Sequence, residues 1–446
     1  MEAVTQEAPG KAYNDNNVYI VGAGFGAEAG LPLIKNFMNR MRDAAAWLED
    51  QKGRERELQA ISRVLEFRLR AAAAAHRVPL NVENIEELFS LASATAGEKL
   101  AEDMAWAIAA TLDYARSTAS HLAEHEYFSV GMLNVPGWSK PATWIAPVAN
   151  IQQGVQSGQL KGEWYGCPPY EFYVGVICGY FNKGGPGRKD TIITFNYDTL
   201  VEENLKALGV PYSYGAESSI GWKTQEDLRR AQRARNGIRV LKLHGSVNWC
   251  SELVDWAGRK EGLSEVPTGV ATAKGRQISV YETYEALRGS GHAPLLVAPT
   301  WQKVLSGGLA EVWSDAVSAL KTATNLIVLG YSIPATDQHF KYFLAAGLQD
   351  NISLRKVLFV NPALANDEAK QLLEDRLFAL FRRELFDQGL IELVASDTRD
   401  FLAGPRTIGE ESYRVRIGRP LNPPGYAWGT APWTFFPPFL QGWSTA

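Results

Sequence analysis

The strongest constraint in this sequence is a recurrent short apolar run that ends in small or polar residues. It appears as VYIVGAG (18–24), DTIITFNYD (190–198), RVLKLHGS (239–246), PLLVAPT (294–300), NLIVLGYS (325–332) and KVLFVNP (356–362), with LIELVAS (390–396) behind them. Runs of this length without strict alternation are the pattern of strands buried on both faces of a sheet. Helical patterns lie between several of them, at 311–324 and 366–388. Strand and helix in alternation predict an α/β fold with a doubly wound, mostly parallel, Rossmann-like sheet.

Two long connections break this rhythm. Residues 35–185 separate the first run from the second. They read as several helices up to about residue 126, then as irregular chain rich in Trp, Pro, Gly and Tyr. Residues 251–290 form a second excursion over the face where the strands end. The expected organisation is one discontinuous sheet domain, 17–34 plus 186–402, a mainly helical insertion at 35–185, and a Pro/Trp-rich tail at 403–446. The stretch 419–446 holds six prolines, seven aromatic residues and one charge, so neither regular helix nor central strand suits it. Such a tail is expected to dock on its own core or on a neighbouring subunit.

Composition narrows the function classes. With 446 residues and 46% hydrophobic residues there is ample material for a core. The 45 basic and 49 acidic residues give a net charge of −4, which argues against holding nucleic acid as a main task. Three cysteines, Cys167, Cys178 and Cys250, with no CxxC pair predict a reducing compartment and exclude a four-cysteine zinc site within one chain. No basic and apolar leader opens the sequence and no apolar run reaches the length of a membrane span, so a cytoplasmic protein is expected.

In a parallel sheet of this kind, ligands sit beyond the carboxyl ends of the strands. The first run delivers Gly22-Ala23-Gly24-Phe25-Gly26, followed by Ala29-Gly30-Leu31-Pro32. A Gly-rich turn into a helix lets backbone amides approach a phosphate, although packing alone also explains such a turn. Gly22-x-Gly24-x-x-Ala27 satisfies the loose dinucleotide fingerprint. The second strand with a terminal acid that a dehydrogenase needs is missing, because the following region is helical. Later runs deliver Thr194-Phe195-Asn196-Tyr197-Asp198, His244-Gly245-Ser246, Gly330-Tyr331-Ser332 and Asn361. Taken singly, Asn and Asp cap helices and His244 fits a core position; together they mark one sheet edge as chemical.

The ordered motifs GAG…AGLP, TFNYD, KLHGS, GYS and VN resemble the NAD-binding core of the sirtuin (silent information regulator) superfamily over about residues 17–402. NIEELFSL (84–91) resembles a segment of bacterial sirtuin-like defence proteins, and its Ile85, Leu88 and Phe89 also fit plain core packing. The chain departs from protein-deacylating sirtuins in lacking the four-cysteine zinc module. It also has Leu33-Ile34-Lys35-Asn36-Phe37 in place of their acidic residue and aromatic–arginine pair, and Gly26 in place of a Ser or Ala. The form Phe-Asn-Tyr-Asp is that of sirtuin-like NAD hydrolases of anti-phage systems.

The resemblance implies cleavage of NAD at the nicotinamide–ribose bond rather than deacylation. NAD is then a substrate, and no metal is expected. It implies catalytic roles for Asn196, His244 and Asp198. The dinucleotide contacts it implies are Gly22, Ala23, Gly24, Phe25, Gly30 and Pro32, with Gly330, Ser332 and Asn361 on the adenosine side. An NAD-depleting effector needs restraint, so a homo-oligomer or a partner such as a HerA-like ATPase is expected. A non-catalytic NAD or ADP-ribose binding module, and less favoured deacylase, ADP-ribosyltransferase and zinc-hydrolase readings, remain as alternatives.

Other signals read as structural. His121-Leu122-Ala123-Glu124-His125 fits an inverted zinc-protease pattern, but short matches arise often by chance and no third ligand accompanies it. Arg54-Glu55-Arg56-Glu57 and 229–235 are expected to be solvated helix faces. Met38, Met41, Trp301 and Trp313 are expected to pack.

Overall fold

The computed structural model describes residues 16–95, 97–118, 127–132, 142–147, 163–165, 170–178, 190–216, 219–223, 229, 237–255, 274–298, 308–333 and 338–403. Seven strands make one sheet: β1 (Asn17–Val21), β2 (Thr191–Thr194), β3 (Tyr212–Ser213), β4 (Ile238–Lys242), β5 (Asn325–Leu329), β6 (Lys356–Val360) and β7 (Ile391–Val394). Their order is β7-β6-β5-β1-β2-β4-β3, and every pairing is parallel. The chain lays down β1 centrally, builds β2 to β4 on one side, and then crosses to build β5 to β7 on the other. This is the doubly wound arrangement expected, and its switch point lies between β1 and β5. β1, β2 and β5 are buried along their whole length, as nearly continuous apolar runs require.

Register turns these runs into a site. Val394, Val360, Leu329, Val21, Thr194 and Lys242 are successive cross-strand partners in one line across the sheet. One or two residues beyond that line stand Asn361, Gly330, Gly22, Asn196 and His244. Polar groups hold the opposite edge in step: Asn17 N donates to Asp190 Oδ1 at 3.1 Å, and Asn325 Nδ2 to Asn17 Oδ1 at 2.8 Å.

The insertion begins with four helices, α1 (Ile34–Glu49), α2 (Glu55–Ala75), α3 (Ile85–Thr95) and α4 (Gly97–Thr118), with the first three packed on α4. Met38, Met41, Ile85, Leu88 and Phe89 are all buried, so the packing reading of both motifs holds. The expectation of an irregular 127–185 is corrected for the described residues of that stretch. Tyr127–Met132 pairs antiparallel with Ala142–Pro147 and with Glu163–Tyr165, and a helix spans Tyr170–Ile177. The aromatic residues that looked loop-like beside Gly and Pro are also good strand formers.

Arg54-Glu55-Arg56-Glu57 is only in part a solvated face, with Glu55 and Arg56 exposed. Arg54 and Glu57 are buried. Arg54 donates through Nε and Nη2 to Glu57 Oε1 at 3.1 and 2.5 Å, and through Nη1 to Asp113 Oδ2 at 2.6 Å. Tyr284 Oη donates to the same Glu57 oxygen at 2.8 Å, and Arg56 reaches the Gly291 carbonyl at 2.9 Å. Burial works against the Arg54 charge, but Glu57 and Asp113 outweigh it and raise its pKa above the usual value. The cluster fastens α2 to the helix Tyr284–Gly289 in the second long connection.

The described ends of that connection form a small sheet. Trp249–Asp255 pairs antiparallel with Lys274–Val280, which pairs parallel with Ile220–Trp222. The expected strand 294–300 is reduced to Leu295–Leu296, which pairs antiparallel with Gly245–Ser246 and lies outside the main sheet. Gly245 adopts φ 83 there, and a Cβ on it would overlap the Leu295 carbonyl. Among the described residues no helix is long and apolar enough to cross a membrane.

Candidate active site

The β1 and β5 ends meet at the switch point. Gly22 N donates to Leu329 O at 2.9 Å, Gly24 N to Gly330 O at 2.8 Å, and Phe25 N to Gly22 O at 3.0 Å. Gly330 has φ 62, and a Cβ there would stand 2.5 Å from Phe25 N; one on Gly22 would stand 2.7 Å from Gly330 O. Three of the four amides at 22–25 are therefore engaged within the fold, and these glycines first serve the contact between two turns. Gly22 and Phe25 are buried, while Ala23 and Gly24 are partly exposed and offer the turn's outer surface. A 3-10 helix follows at Ala23–Ala29 and ends at Gly30 with φ 78, ahead of the buried Pro32.

Tyr170 holds this helix. Its hydroxyl donates to Phe25 O at 2.7 Å and accepts from Ala29 N at 3.1 Å, with the two rings edge-on at 5.5 Å. Nothing in the sequence flagged Tyr170, because it lies in the insertion, 145 positions from Phe25.

β2 brings Asn196 to the same place. Thr194 Oγ1 donates to Val21 O at 2.9 Å and accepts from Asn196 N at 3.0 Å. Asn196 Nδ2 then donates to Gly22 O at 3.0 Å. This fixes the amide plane and directs Oδ1 away from the turn's carbonyl. Asp198 is occupied differently: its Oδ1 accepts from Leu200 N at 3.0 Å at the start of the helix Leu200–Ala207, and its main-chain O accepts from Lys242 Nζ. Burial pushes the Asp198 carboxyl above the usual range, against the pull of Lys242.

His244 sits in an aromatic frame. Its ring lies edge-on to Phe195 at 5.0 Å and tilted to Tyr197 at 6.1 Å. Phe195 in turn stacks on Tyr331 at 4.9 Å, and Phe340 closes on both. Trp313 is core, and its Nε1 donates to Leu243 O at 2.8 Å, fixing the residue before His244. The structure thus gathers Gly22, Ala23, Gly24, Phe25, Asn196, His244 and Gly330 around the ends of β1, β2, β4 and β5.

Besides Gly330, the two other residues assigned to the adenosine side differ. Asn361 is buried, accepts from Ala363 N at 2.9 Å and donates to Tyr331 O at 3.5 Å, so it shapes the end of β6. Ser332 is exposed, and its carbonyl accepts from Arg376 Nη1 at 2.9 Å.

Behind the site lies a charged pair that sequence reasoning missed. Lys242 Nζ is 3.1 Å from Glu202 Oε1, and both side chains are buried. Tyr214 Oη donates to the same oxygen at 3.2 Å. Burial raises the Glu202 carboxyl and lifts the Tyr214 phenol well above its ordinary value. Lys242 ends an apolar strand, which is the one signal that marked it. The expected His121–His125 helix, Trp301 and the 419–446 tail lie outside the described residues.

Residues 190–380 match the family model of the SIR2-like domain. The match includes Asn196, Asp198, His244, Gly330, Ser332 and Asn361, and the Gly-rich turn at 22–32 precedes it. No curated protein matches the chain. Among solved structures, Sir2 in complex with the inhibitor EX-527, 2'-O-acetyl-ADP-ribose and a deacetylated p53 peptide is 12% identical, with 86% of this chain and 90% of that one covered and a TM-score of 0.30. Sir2Tm bound to a propionylated peptide is 13% identical, with 86% and 90% covered and a TM-score of 0.28. An ADP-ribose complex of a Sir2 homologue variant is 13% identical, with 82% and 93% covered and a TM-score of 0.23. What the chain shows of a named family is thus a match to the SIR2-like domain model over residues 190–380.

Proposed function

We propose that this chain cleaves NAD between nicotinamide and ribose, releasing nicotinamide and ADP-ribose. The observation that carries the reading is the anchoring of Asn196 to Gly22 O beside the framed ring of His244, with Asn196 and His244 both in the stretch that matches the SIR2-like domain. Breaking the glycosidic bond builds positive charge on the ribose, as in the oxocarbenium state of glycosidases. Asn196 Oδ1, with Nδ2 held, accepts from the attacking water or from a ribose hydroxyl. His244 accepts a proton from that water or holds the ribose hydroxyls. Ala23 and Gly24 line the pyrophosphate side. Asp198 positions the Asn196 turn: its carboxylate accepts from Leu200 N and its main-chain oxygen from Lys242.

The step balances without a further reactant. The C1'–N bond breaks and its electron pair leaves with nicotinamide. Water supplies the new C1' oxygen, and its proton passes to the base. The sequence resemblance extends this to an NAD-depleting effector of anti-phage defence, restrained by assembly or by a partner such as a HerA-like ATPase. Incubating full-length protein with NAD and separating nicotinamide from ADP-ribose tests the reaction. Co-purification with a HerA-like ATPase tests the partner.

A further inference from the structure

The polar face of the small sheet carries a second constellation, apart from the NAD reading. Cys250 and Glu252 lie two apart on Trp249–Asp255 and so share a face. His292 joins them from the turn after the helix Tyr284–Gly289. One ligand atom from each of the three lies within 4.8 Å of the others. Glu252 Oε1 is the vertex, 3.6 Å from Cys250 Sγ and 3.6 Å from His292 Nε2. Tetrahedral zinc with ordinary bond lengths to sulfur, nitrogen and oxygen requires donor separations of about 3.4–3.6 Å.

The surrounding groups orient these donors as outer partners of a metal site do. Lys223 Nζ and Ser279 Oγ each hold Glu252 Oε2 at 2.7 Å, which leaves Oε1 toward the cluster. Ser290 Oγ lies 3.0 Å and Tyr281 Oη 3.4 Å from His292 Nδ1, which turns Nε2 toward Glu252. Gln277 stands directly across the ladder from Glu252. It is 1% exposed, and neither its amide oxygen nor its nitrogen has a hydrogen-bond partner. A buried amide with both ends unpaired is costly.

We propose that Cys250, Glu252 and His292 bind one zinc-like divalent transition metal, with a water completing its coordination. Thiolate, imidazole and carboxylate together favour zinc over magnesium or calcium. Binding releases the thiol proton and forms a sulfur–metal bond with no change of oxidation state. The ion would tie the small sheet to the 290–292 turn. It would also brace the His244 segment, because Asn248 exchanges hydrogen bonds of 2.9 and 2.8 Å with the main chain of Tyr281.

Full-length protein is stripped with a chelator and titrated with Co(II), and metal is counted by elemental analysis after zinc loading. The expected result is one metal per chain with a thiolate-to-cobalt charge-transfer band. That band disappears in Cys250→Ala, weakens at least tenfold in apparent affinity in His292→Ala, and persists in Cys178→Ala. His292 is exposed, so its variant tests the site without emptying the core. A stripped wild-type protein with no thiolate band, or a band that survives in Cys250→Ala, overturns the proposal. NAD turnover need not be measured, so the outcome is separate from that of the hydrolase reading.

Discussion

Asn196 Nδ2 donates to the main-chain oxygen of Gly22 at 3.0 Å, across 174 positions of sequence. This bond joins the end of β2 to the Gly-rich turn of β1, and the proposed water or ribose contact depends on it. Asn196→Ala removes the oriented amide without a large void, because the side chain is only partly buried. The expected effect is a loss of NAD cleavage by about 10²–10⁴-fold with a native circular dichroism spectrum. His244→Ala is expected to fall in the same range. Wild-type rates in both variants would remove these residues from the chemistry.

Tyr170 tests whether the 3-10 helix is held from the insertion. Tyr170→Phe keeps the ring contact with Phe25 but leaves Phe25 O and Ala29 N without their partner. A stability loss of about 1–3 kcal/mol is expected from denaturant unfolding. KM for NAD is expected to rise more than kcat falls. An unchanged KM would separate Tyr170 from the ligand side of the turn.

Gly330→Ala probes the switch point. Alanine at φ 62 costs about 1–2 kcal/mol, and its methyl group would press on Phe25 N and Gly24. Melting temperature should fall, and NAD affinity with it, as the turn moves away from β5. Ser332→Ala, on an exposed neighbour, should leave stability unchanged.

The buried pair gives a prediction in pH. Lys242→Met strands Glu202 in the core and is expected to cost about 3–5 kcal/mol. The Lys242→Met, Glu202→Gln double variant should recover much of that loss. Burial raises the folded-state pKa of Glu202, so the folded protein binds this proton more tightly than the unfolded chain does. The contribution therefore stabilises as pH falls through the raised folded value toward the unfolded one. It is absent at higher pH. Lys242→Met should deepen this trend, which urea unfolding across pH would show.

The sheet was legible because buried parallel strands write themselves as uninterrupted apolar runs, and β1, β2, β4, β5 and β6 do so. The strand ends were legible for the same reason: register places Gly22, Asn196, His244 and Gly330 on one edge. PLLVAPT has the same composition but pairs with Gly245–Ser246, because partner choice is a tertiary outcome that a run of apolar residues does not encode. Arg54 and Glu57 looked solvated because their neutralising partners, Asp113 and Tyr284, are 59 and 227 positions away. Tyr170 and the Lys242–Glu202 pair were hidden likewise. Each acts through a contact distant in sequence, and no local pattern marks it. Asp198 shows the reverse: its motif position promised direct chemistry, and its side chain is engaged in starting a helix.

Asn196 and His244 are proposed to cleave the bond at the β1–β2–β4 edge. The most direct test of this cleavage is incubation of full-length protein with NAD labelled in the nicotinamide ring, over a range of protein concentrations. Labelled nicotinamide with equimolar ADP-ribose is expected from the wild type, and neither from Asn196→Ala. Full recovery of intact NAD at every concentration, or equal release by wild type and Asn196→Ala, would contradict it.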